Sequence, residues 1–272
     1  MSFVNLYDSH THSDNSPDGR ESVTYMCERS IAMGLRGIAI TDHCEVDNYE
    51  GGRYHISIRQ SYFECLKAKS VFRGALIVSA GIELGQPLAN PAVSEKLLAD
   101  YNFDIVLASV HNARNGADYY YMDYTELSDA DIRSLLQGYF EDILAVCRWN
   151  RFDSLAHLTY PIRYLSASGI SVDLNAYSDI IDEILKTLAQ NGKALEINTS
   201  GYRQGLGTAL PPLSCVKRFR ELGGEYVTIA SDAHRSGDVG KNLEDGMRIA
   251  LDAGFTQFAL YLSRVPMLID LK

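Results

Sequence analysis

Histidine and carboxylate side chains recur at the ends of short apolar segments along this chain. Six of the 7 histidines lie at or just after such ends, and three carboxylates occupy matching positions. Imidazole and carboxylate ligands without thiolates suit zinc, manganese or iron ions, and ligand type alone does not choose among these metals. The pattern therefore predicts a metal centre built from His10, His12, Asp18, His43, Glu83, His111, His157, Asp232 and His234.

The number of histidines matters more than any one of them. A single histidine at a strand end is more often a hydrogen-bonded structural residue than a ligand. In His10-Thr11-His12, however, the period of two in a strand sends both imidazoles to the same side, so both can reach one ion. Six histidines in equivalent places favour a shared site.

The charge of this set indicates how many ions it would hold. Three carboxylates, a phosphate ester dianion and a hydroxide carry six negative charges together, which three divalent ions would neutralise. Paired divalent ions can activate a water molecule for attack on phosphorus. The predicted chemistry is therefore hydrolysis of a phosphate ester, with three divalent ions as cofactors.

The segments that would position these residues alternate between strand and helix patterns. Predicted strands span residues 4–8, 37–41, 76–82, 105–110, 154–156, 194–198, 226–231 and 255–262. Predicted helices span residues 21–33, 132–149, 177–190, 214–222 and 242–253. This alternation predicts an α/β fold with a parallel sheet and crossover helices. The longer polar segments follow strands, where the active face of a (β/α) barrel lies.

Composition limits the class of protein. The chain has 272 residues, of which 46% are hydrophobic and 22% charged, and its formal net charge is −10. These values are typical of a globular protein, and an acidic chain without Lys/Arg clusters does not favour nucleic acid as a partner. No segment approaches the roughly 20 apolar residues of a membrane span, and the N-terminus does not resemble a signal peptide. We expect one domain over residues 1–272, a cytoplasmic location and a small-molecule partner.

The five cysteines are widely spaced. This spacing suggests neither a disulfide framework nor a thiolate zinc site. We therefore expect reduced thiols, mostly in the core.

The motifs at the predicted strand ends resemble those of the polymerase and histidinol phosphatase (PHP) superfamily, in the same order along nearly the whole chain. The resemblance implies a distorted (β/α)7 TIM-like barrel with a trinuclear metal centre at the C-terminal end of the strands. The segments 198–203 and 231–240 further resemble the monofunctional histidinol-phosphate phosphatase branch. The motifs are His10-Thr11-His12, Thr41-Asp42-His43, Gly81-Ile82-Glu83, Ser109-Val110-His111, Ala156-His157 and Ser231-Asp232-Ala233-His234.

The resemblance also implies how the ligands are shared. One ion would be bound by His10, His12, Glu83 and Asp232, a second by Glu83, His111 and His157, and a third by Asp18, His43 and His234. Glu83 would bridge two ions with its two oxygens, which an imidazole cannot do. Many relatives have histidine at the position of Asp18, a departure that keeps a ligand but changes its charge.

Two arginines follow strands and could bind a phosphoryl group, because a guanidinium matches phosphate with parallel hydrogen bonds. They are Arg163 and Arg203, and we expect both to contact the substrate phosphate. Asp232 or His234 would manage the proton. The resemblance implies that the substrate is L-histidinol phosphate, hydrolysed to L-histidinol and phosphate in histidine biosynthesis.

Three alternatives remain open on the sequence. A related enzyme could act on another small phosphomonoester, a nucleotide or a phosphotyrosyl protein. An amidohydrolase barrel also begins with a His-x-His pair, but it would not use Asp18, His43 and Glu83 together. A metal-stabilised binding module without catalysis is the alternative of another class.

Overall fold

Seven parallel strands form a nearly closed barrel in the computed structural model, which describes residues 3–272. The strand order is β1-β2-β4-β5-β6-β7-β8, and the short β3 pairs parallel with β4 beyond the end of β2. The strands of this sheet are β1 (Tyr7–Thr11), β2 (Gly37–Ile40), β3 (His43–Glu45), β4 (Ile77–Gly85), β5 (Ile105–Ser109), β6 (Ser154–Leu155), β7 (Ala194–Asn198) and β8 (Val227–Ala230). The predicted distorted (β/α)7 barrel is confirmed.

Helices connect the strands and cover the outside of the barrel. They are α1 (Val23–Ala32), α2 (Tyr54–Val71), α3 (Pro91–Asp100), α4 (Asp129–Trp149), α5 (Ile162–Ala167), α6 (Ser178–Gln190), α7 (Ser200–Arg203), α8 (Leu213–Glu221) and α9 (Leu243–Asp252). The five predicted helices are present with boundaries shifted by a few residues. At the start of α4, Ser128 and Asp131 accept hydrogen bonds from each other's backbone N–H, which is a capping box.

The barrel closes between β1 and β8 near their C-terminal ends. The Asp232 backbone N–H donates to the His10 carbonyl at 2.9 Å, and the His12 N–H donates to the Ala233 carbonyl at 2.8 Å. The buried carboxylate of Asp8 accepts the backbone N–H of Ser231 at 2.8 Å. The segments that carry four of the predicted metal ligands are thereby joined by backbone hydrogen bonds.

The observed strands differ from the predicted ones at two places. The first strand begins three residues later than predicted, so His10 lies within it and not after it. The apolar segment 255–262 is not an eighth barrel strand, because β9 (Gln257–Leu262) pairs antiparallel with β10 (Val265–Asp270) in a separate two-stranded sheet. An apolar run indicates a strand but not its partner.

The β9–β10 hairpin lies under the N-terminal ends of the barrel strands. Its two-residue turn, Ser263 and Arg264, has φ of 51° and 64°, as a type I′ turn requires. The Ser263 N–H donates to the Asp104 carboxylate at 3.0 Å, and the Arg264 guanidinium donates to both oxygens of Asp153. Asp104 and Asp153 directly precede β5 and β6, so the turn is tied to the end of the barrel opposite the predicted site.

The five cysteines are buried and unpaired, as predicted. Among residues 3–272, no helix is both long enough and apolar enough to span a membrane.

The Arg264–Asp153 pair provides a test of what holds the hairpin in place. Asp153 is buried and also accepts the Val106 N–H at 2.9 Å, so removing Arg264 would leave its carboxylate without a cation. Since Arg264 is one-third exposed, we expect Arg264→Ala to lower the free energy of unfolding by about 2 kcal/mol, less than for a fully buried pair. Differential scanning calorimetry should show a melting temperature lower by roughly 4–8 °C.

Arg148→Ala is the matched control, because Arg148 makes one exposed ion pair, 3.5 Å from Glu183. Its melting temperature should stay within about 2 °C of the wild-type value. Equal shifts in the two variants would contradict the assigned role of Arg264.

Candidate metal centre

The predicted ligands lie together at the C-terminal end of the barrel. β1 supplies His10 within the strand and His12 just after it, β3 begins with His43, and Glu83 lies near the end of β4. The other ligands follow the ends of β5, β6 and β8, except Asp18, which comes from the loop between β1 and α1. These are His111, His157, Asp232 and His234.

Glu83 lies at the centre of this group and is fully buried. Its Oε2 is 3.2 Å from His10 Nε2 and 2.9 Å from His43 Nδ1. Its Oε1 is 3.1 Å from His111 Nε2 and 2.9 Å from His157 Nε2. Burial would raise the pKa of Glu83, but the facing imidazoles, His10 foremost, hold this pKa well below its usual value. Each carboxylate oxygen therefore faces a different pair of imidazoles.

The first ligand group is His10, His12, Glu83 and Asp232. The Nε2 atoms of His10 and His12 are only 2.9 Å apart, and Asp232 Oδ1 is 3.5 Å from His12 Nε2. Burial lowers the pKa of His12 well below its usual value, with help from the neighbouring His234 and His43, whereas the carboxylates around His10 outweigh its burial and raise its pKa. The close approach of these nitrogen and carboxylate atoms marks a place where a cation would fit this donor set.

A second close group lies nearer the cavity. His43 Nε2 is 3.3 Å from His234 Nε2, and Asp18 Oδ2 is 3.1 Å from His234 Nε2. One ligand atom from each of His12, His43 and His234 lies within 4.8 Å of the others, and the same is true of His10, His12 and Glu83 and of His43, Glu83 and His111. Such spacing and these donor types fit transition-metal ions.

The outward-facing ring nitrogens of four histidines have hydrogen-bond partners. His10 Nδ1 is 2.8 Å from Glu196 Oε1, and His111 Nδ1 is 2.8 Å from Glu45 Oε1. His12 Nδ1 contacts the Ser16 hydroxyl, and His234 Nδ1 contacts the Asp232 carbonyl oxygen. A proton held on Nδ1 leaves the Nε2 lone pair free to face the centre, which is the usual arrangement of metal-binding histidines.

Glu45 and Glu196 are site residues that the sequence analysis missed. Glu45 is two residues beyond His43 in β3, so the strand period places both on one side. Glu196 is the only charged residue in the apolar strand ALEIN. A charged residue inside a buried strand is the signal that could have identified it.

Two ligands have a strained backbone. His157 has φ of 24° and Asp232 has φ of 56°, a region that residues other than glycine rarely adopt. Each such residue costs on the order of 1–3 kcal/mol and persists only where its surroundings hold it. Strain at two ligand positions indicates that the surroundings, and not local preference, place these side chains.

Arg163 lies beside the metal ligands. Its side chain is 9% exposed, and its Nη1 is 3.7 Å from Asp232 Oδ2. The guanidinium carbon lies 4.1 Å from the ring centre of Tyr160 and also packs on Tyr164. Nη1 donates to Gln204 Oε1 at 3.1 Å. These contacts aim the guanidinium at the cavity above the ligands.

Arg203 contacts the backbone next to the predicted ligands. Its guanidinium donates to the backbone carbonyls of Ser231 and Asp232, the latter at 2.5 Å. Among residues 3–272, the lining of the cavity includes Arg163 and Gln204 but not Arg203. Two of its five N–H groups are used by the backbone, and its contact with phosphate stays a prediction.

A cavity of about 990 Å³ opens above the ligands. Its floor includes His43, His111, Asp232 and His234. Its walls carry aromatic and acidic side chains, namely Tyr54, Tyr120, Tyr121, Tyr164, Asp47 and Asp118. A cavity of this size admits a small molecule directly onto the ligand cluster.

A family model described as the PHP domain matches residues 8–200. The chain is 33% identical over 243 residues to the probable histidinol-phosphatase of Thermotoga maritima, covering 89% of this chain and 90% of the relative. It is 30% identical over 249 residues to the probable histidinol-phosphatase of Clostridium acetobutylicum, covering 90% and 92%.

A solved structure has the same fold. It is the histidinol phosphate phosphatase of Lactococcus lactis, crystallised with zinc, L-histidinol and phosphate. The TM-score is 0.80 at 23% identity, and the superposition covers 97% of this chain and 99% of that one. This likeness supports the barrel architecture described above.

Metal binding should stabilise the protein strongly, because the cluster brings buried imidazoles and carboxylates together. After removal of metal with EDTA, zinc at a free concentration of about 1,000 times its dissociation constant should add about 4 kcal/mol. The melting temperature measured by calorimetry should then rise by roughly 8–16 °C. Glu83→Gln should lose most of this rise, because a glutamine amide has only one oxygen and cannot replace a carboxylate whose two oxygens both face the ligand cluster.

Glu244→Gln, on the exposed face of α9, is the matched control and should keep the full rise. If Glu83→Gln gained as much as wild type on zinc addition, Glu83 would not be a metal ligand.

Proposed function

The chain belongs to the PHP domain family, and we propose that it is a metal-dependent phosphomonoesterase that hydrolyses L-histidinol phosphate to L-histidinol and phosphate. The observation that carries this proposal is the convergence of the predicted ligands around Glu83, together with a cavity lined by Arg163 and by five of those ligands, Asp18, His43, His111, Asp232 and His234. Nearly full-length similarity to relatives named as histidinol-phosphatases supports the substrate.

Three divalent ions would be held by three sets of residues, of which the first two share Glu83. His10, His12, Glu83 and Asp232 would hold one ion, and Glu83, His111 and His157 would hold a second. Asp18, His43 and His234 would hold the third. In support, Glu83 presents one oxygen to His10 and the other to His111 and His157, as a bridging carboxylate must.

Zinc, manganese and iron all suit this ligand set. When bound, such ions lower the pKa of coordinated water and withdraw charge from phosphate oxygens. The solved Lactococcus lactis relative contains zinc, which supports zinc as one of the candidates for this chain.

Arg163 would bind the phosphoryl group of the substrate. Its guanidinium is held in place by Tyr160, Tyr164 and Gln204 and faces the cavity next to Asp232. A guanidinium fixed in this way can donate two hydrogen bonds to phosphate oxygens and offset the charge that develops on them.

Asp232 would handle the proton transfer, and His234 would serve as a ligand. Asp232 Oδ1 faces His12, while Oδ2 faces Arg163 and the cavity. We assign to Asp232 Oδ2, the oxygen that faces the cavity, the acceptance of a proton from the attacking water and its transfer to the leaving alcohol oxygen, so that the carboxylate ends the reaction ionised, as it began. His234 Nδ1 donates to the Asp232 carbonyl at 3.0 Å, which keeps the His234 Nε2 lone pair directed at Asp18 and His43.

The first test is release of inorganic phosphate with zinc or manganese supplied. We expect kcat/KM for histidinol phosphate to exceed that for glycerol phosphate by about 100-fold, because the cavity walls contact the whole alcohol. No release from any phosphomonoester would refute the proposal, and faster turnover of a nucleotide or phosphotyrosyl peptide would support the alternative substrates. Binding without turnover would support a non-catalytic module, and a metal-to-protein ratio near three would argue against an amidohydrolase.

A second test separates the roles of the two arginines. Arg163→Ala should raise KM about 10- to 100-fold with metal content unchanged, because a charge-assisted pair of hydrogen bonds to phosphate is lost. Arg203→Ala should instead lower metal content, since Arg203 holds the backbone of Asp232. A rise in KM with full metal content in Arg203→Ala would restore its predicted contact with phosphate.

A further inference from the structure

Glu196 lies behind the metal ligands, within β7, and has no exposed surface. Its Oε1 is 2.8 Å from His10 Nδ1. Its Oε2 accepts the backbone N–H of His157 at 2.8 Å and the side-chain amide of Asn198 at 2.9 Å. One carboxylate therefore contacts two ligands that the proposed function assigns to different ions.

Within residues 3–272, Glu196 has no Lys or Arg within ion-pair distance, and His10 is its one ionic neighbour. A buried carboxylate without hydrogen bonds would be costly, and three donors satisfy this one. None of these three donors lines the cavity, so a substrate in the cavity would not contact them. The role of Glu196 therefore lies in its hydrogen bonds to His10 and His157 and not in contact with substrate.

The contact with His10 sets the direction of the ligand atom. A carboxylate only accepts hydrogen bonds, so the His10 proton must reside on Nδ1. The Nε2 lone pair is then turned toward the centre, where it lies 3.2 Å from Glu83 Oε2. Without this partner the ring could place a proton on Nε2 and lose its ligand atom.

The contact with His157 holds a strained backbone. His157 has φ of 24°, and its Nδ1 is buried without a hydrogen-bond partner. The ring therefore receives no orientation from its outer nitrogen, unlike His10 and His111. The backbone hydrogen bond from the His157 N–H to Glu196 Oε2 therefore fixes the position of His157 just after the end of β6.

The same chain of hydrogen bonds reaches Arg163. Asn198 Oδ1 accepts the Ser200 N–H at 3.0 Å and the Ser200 hydroxyl at 2.6 Å. The Ser200 hydroxyl oxygen in turn lies 3.5 Å from Arg163 Nη1. The C-terminal end of β7 thus connects two metal ligands to the arginine proposed to bind phosphate.

We propose that Glu196 is a positioning residue that fixes His10 and His157 at once, so that two metal positions depend on one buried carboxylate. The proposal rests on the ligand assignment of the proposed function. Glutamine cannot replace Glu196 in this role, although it has the same shape. If its oxygen faces His10, its NH₂ group meets the donors of His157 and Asn198, and the reverse orientation offers a donor to His10 Nδ1.

The test is zinc binding by Glu196→Gln, measured by titration against a chelating dye and by elemental analysis. We expect folded protein with zinc affinity lowered about 10- to 100-fold, and at least one ion per chain lost on dialysis. Asp153→Asn is the matched control, because it removes a buried carboxylate that accepts a backbone N–H at the opposite end of the barrel. The control should keep the wild-type affinity and ion content, and unchanged zinc binding in Glu196→Gln would overturn the proposal.

A measurement on the metal-free wild-type protein keeps the test decisive if the variant does not fold. The ¹⁵N and ¹H NMR signals of His10, assigned by comparison with His10→Gln, should show a proton on Nδ1. A ring protonated on Nε2 alone would overturn the proposal. If wild type bound zinc, and Glu196→Gln did not, but neither hydrolysed any phosphate ester, the positioning role would stand and the proposed phosphatase function would fail.

Discussion

A buried carboxylate surrounded by imidazole nitrogens is the interaction on which this structure depends. Glu83 has no exposed surface, and four ring nitrogens lie within 2.9–3.2 Å of its two oxygens. A charged group in the interior of a protein is costly unless opposite charge and hydrogen bonds surround it. The free-energy cost of burying this charge can be offset only where several strands end together, because no single strand could bring four imidazoles to one point.

The barrel meets this condition by separating its two ends. At the C-terminal end, backbone hydrogen bonds between β1 and β8 bring His10 and His12 next to Asp232. At the N-terminal end, the β9–β10 hairpin ties its turn to Asp104 and Asp153. At the C-terminal end, imidazole and carboxylate groups point inward toward one another. At the N-terminal end, charged side chains pair with each other. This is the usual division in barrels, with the site at one end and stabilising contacts at the other.

The sequence allowed the inward-facing residues to be predicted but not the groups behind them. His10, His12, Glu83 and His111 could be predicted as one group because histidines and carboxylates recur at the ends of several strands, and parallel strands end at one face. Glu196 contacts His10 across 186 positions of the chain, and no local pattern carries information about such a pair. Arg203 was expected to face the cavity because it follows a strand, yet a short helix turns its guanidinium onto backbone carbonyls.

The two strained ligands explain why these outer groups are needed. His157 and Asp232 both have positive φ, which neither residue would adopt alone. Glu196 accepts the N–H of His157, and Arg203 donates to the carbonyls of Ser231 and Asp232, so each strained residue is held by a charged group from β7 or the helix after it. Because hydrogen bonds to charged groups are worth about 1.5–3 kcal/mol, they are of the size needed to offset this strain. The proposed metal centre would therefore depend on β7 as much as on the strands that carry its predicted ligands, although none of the predicted ligands lies in β7.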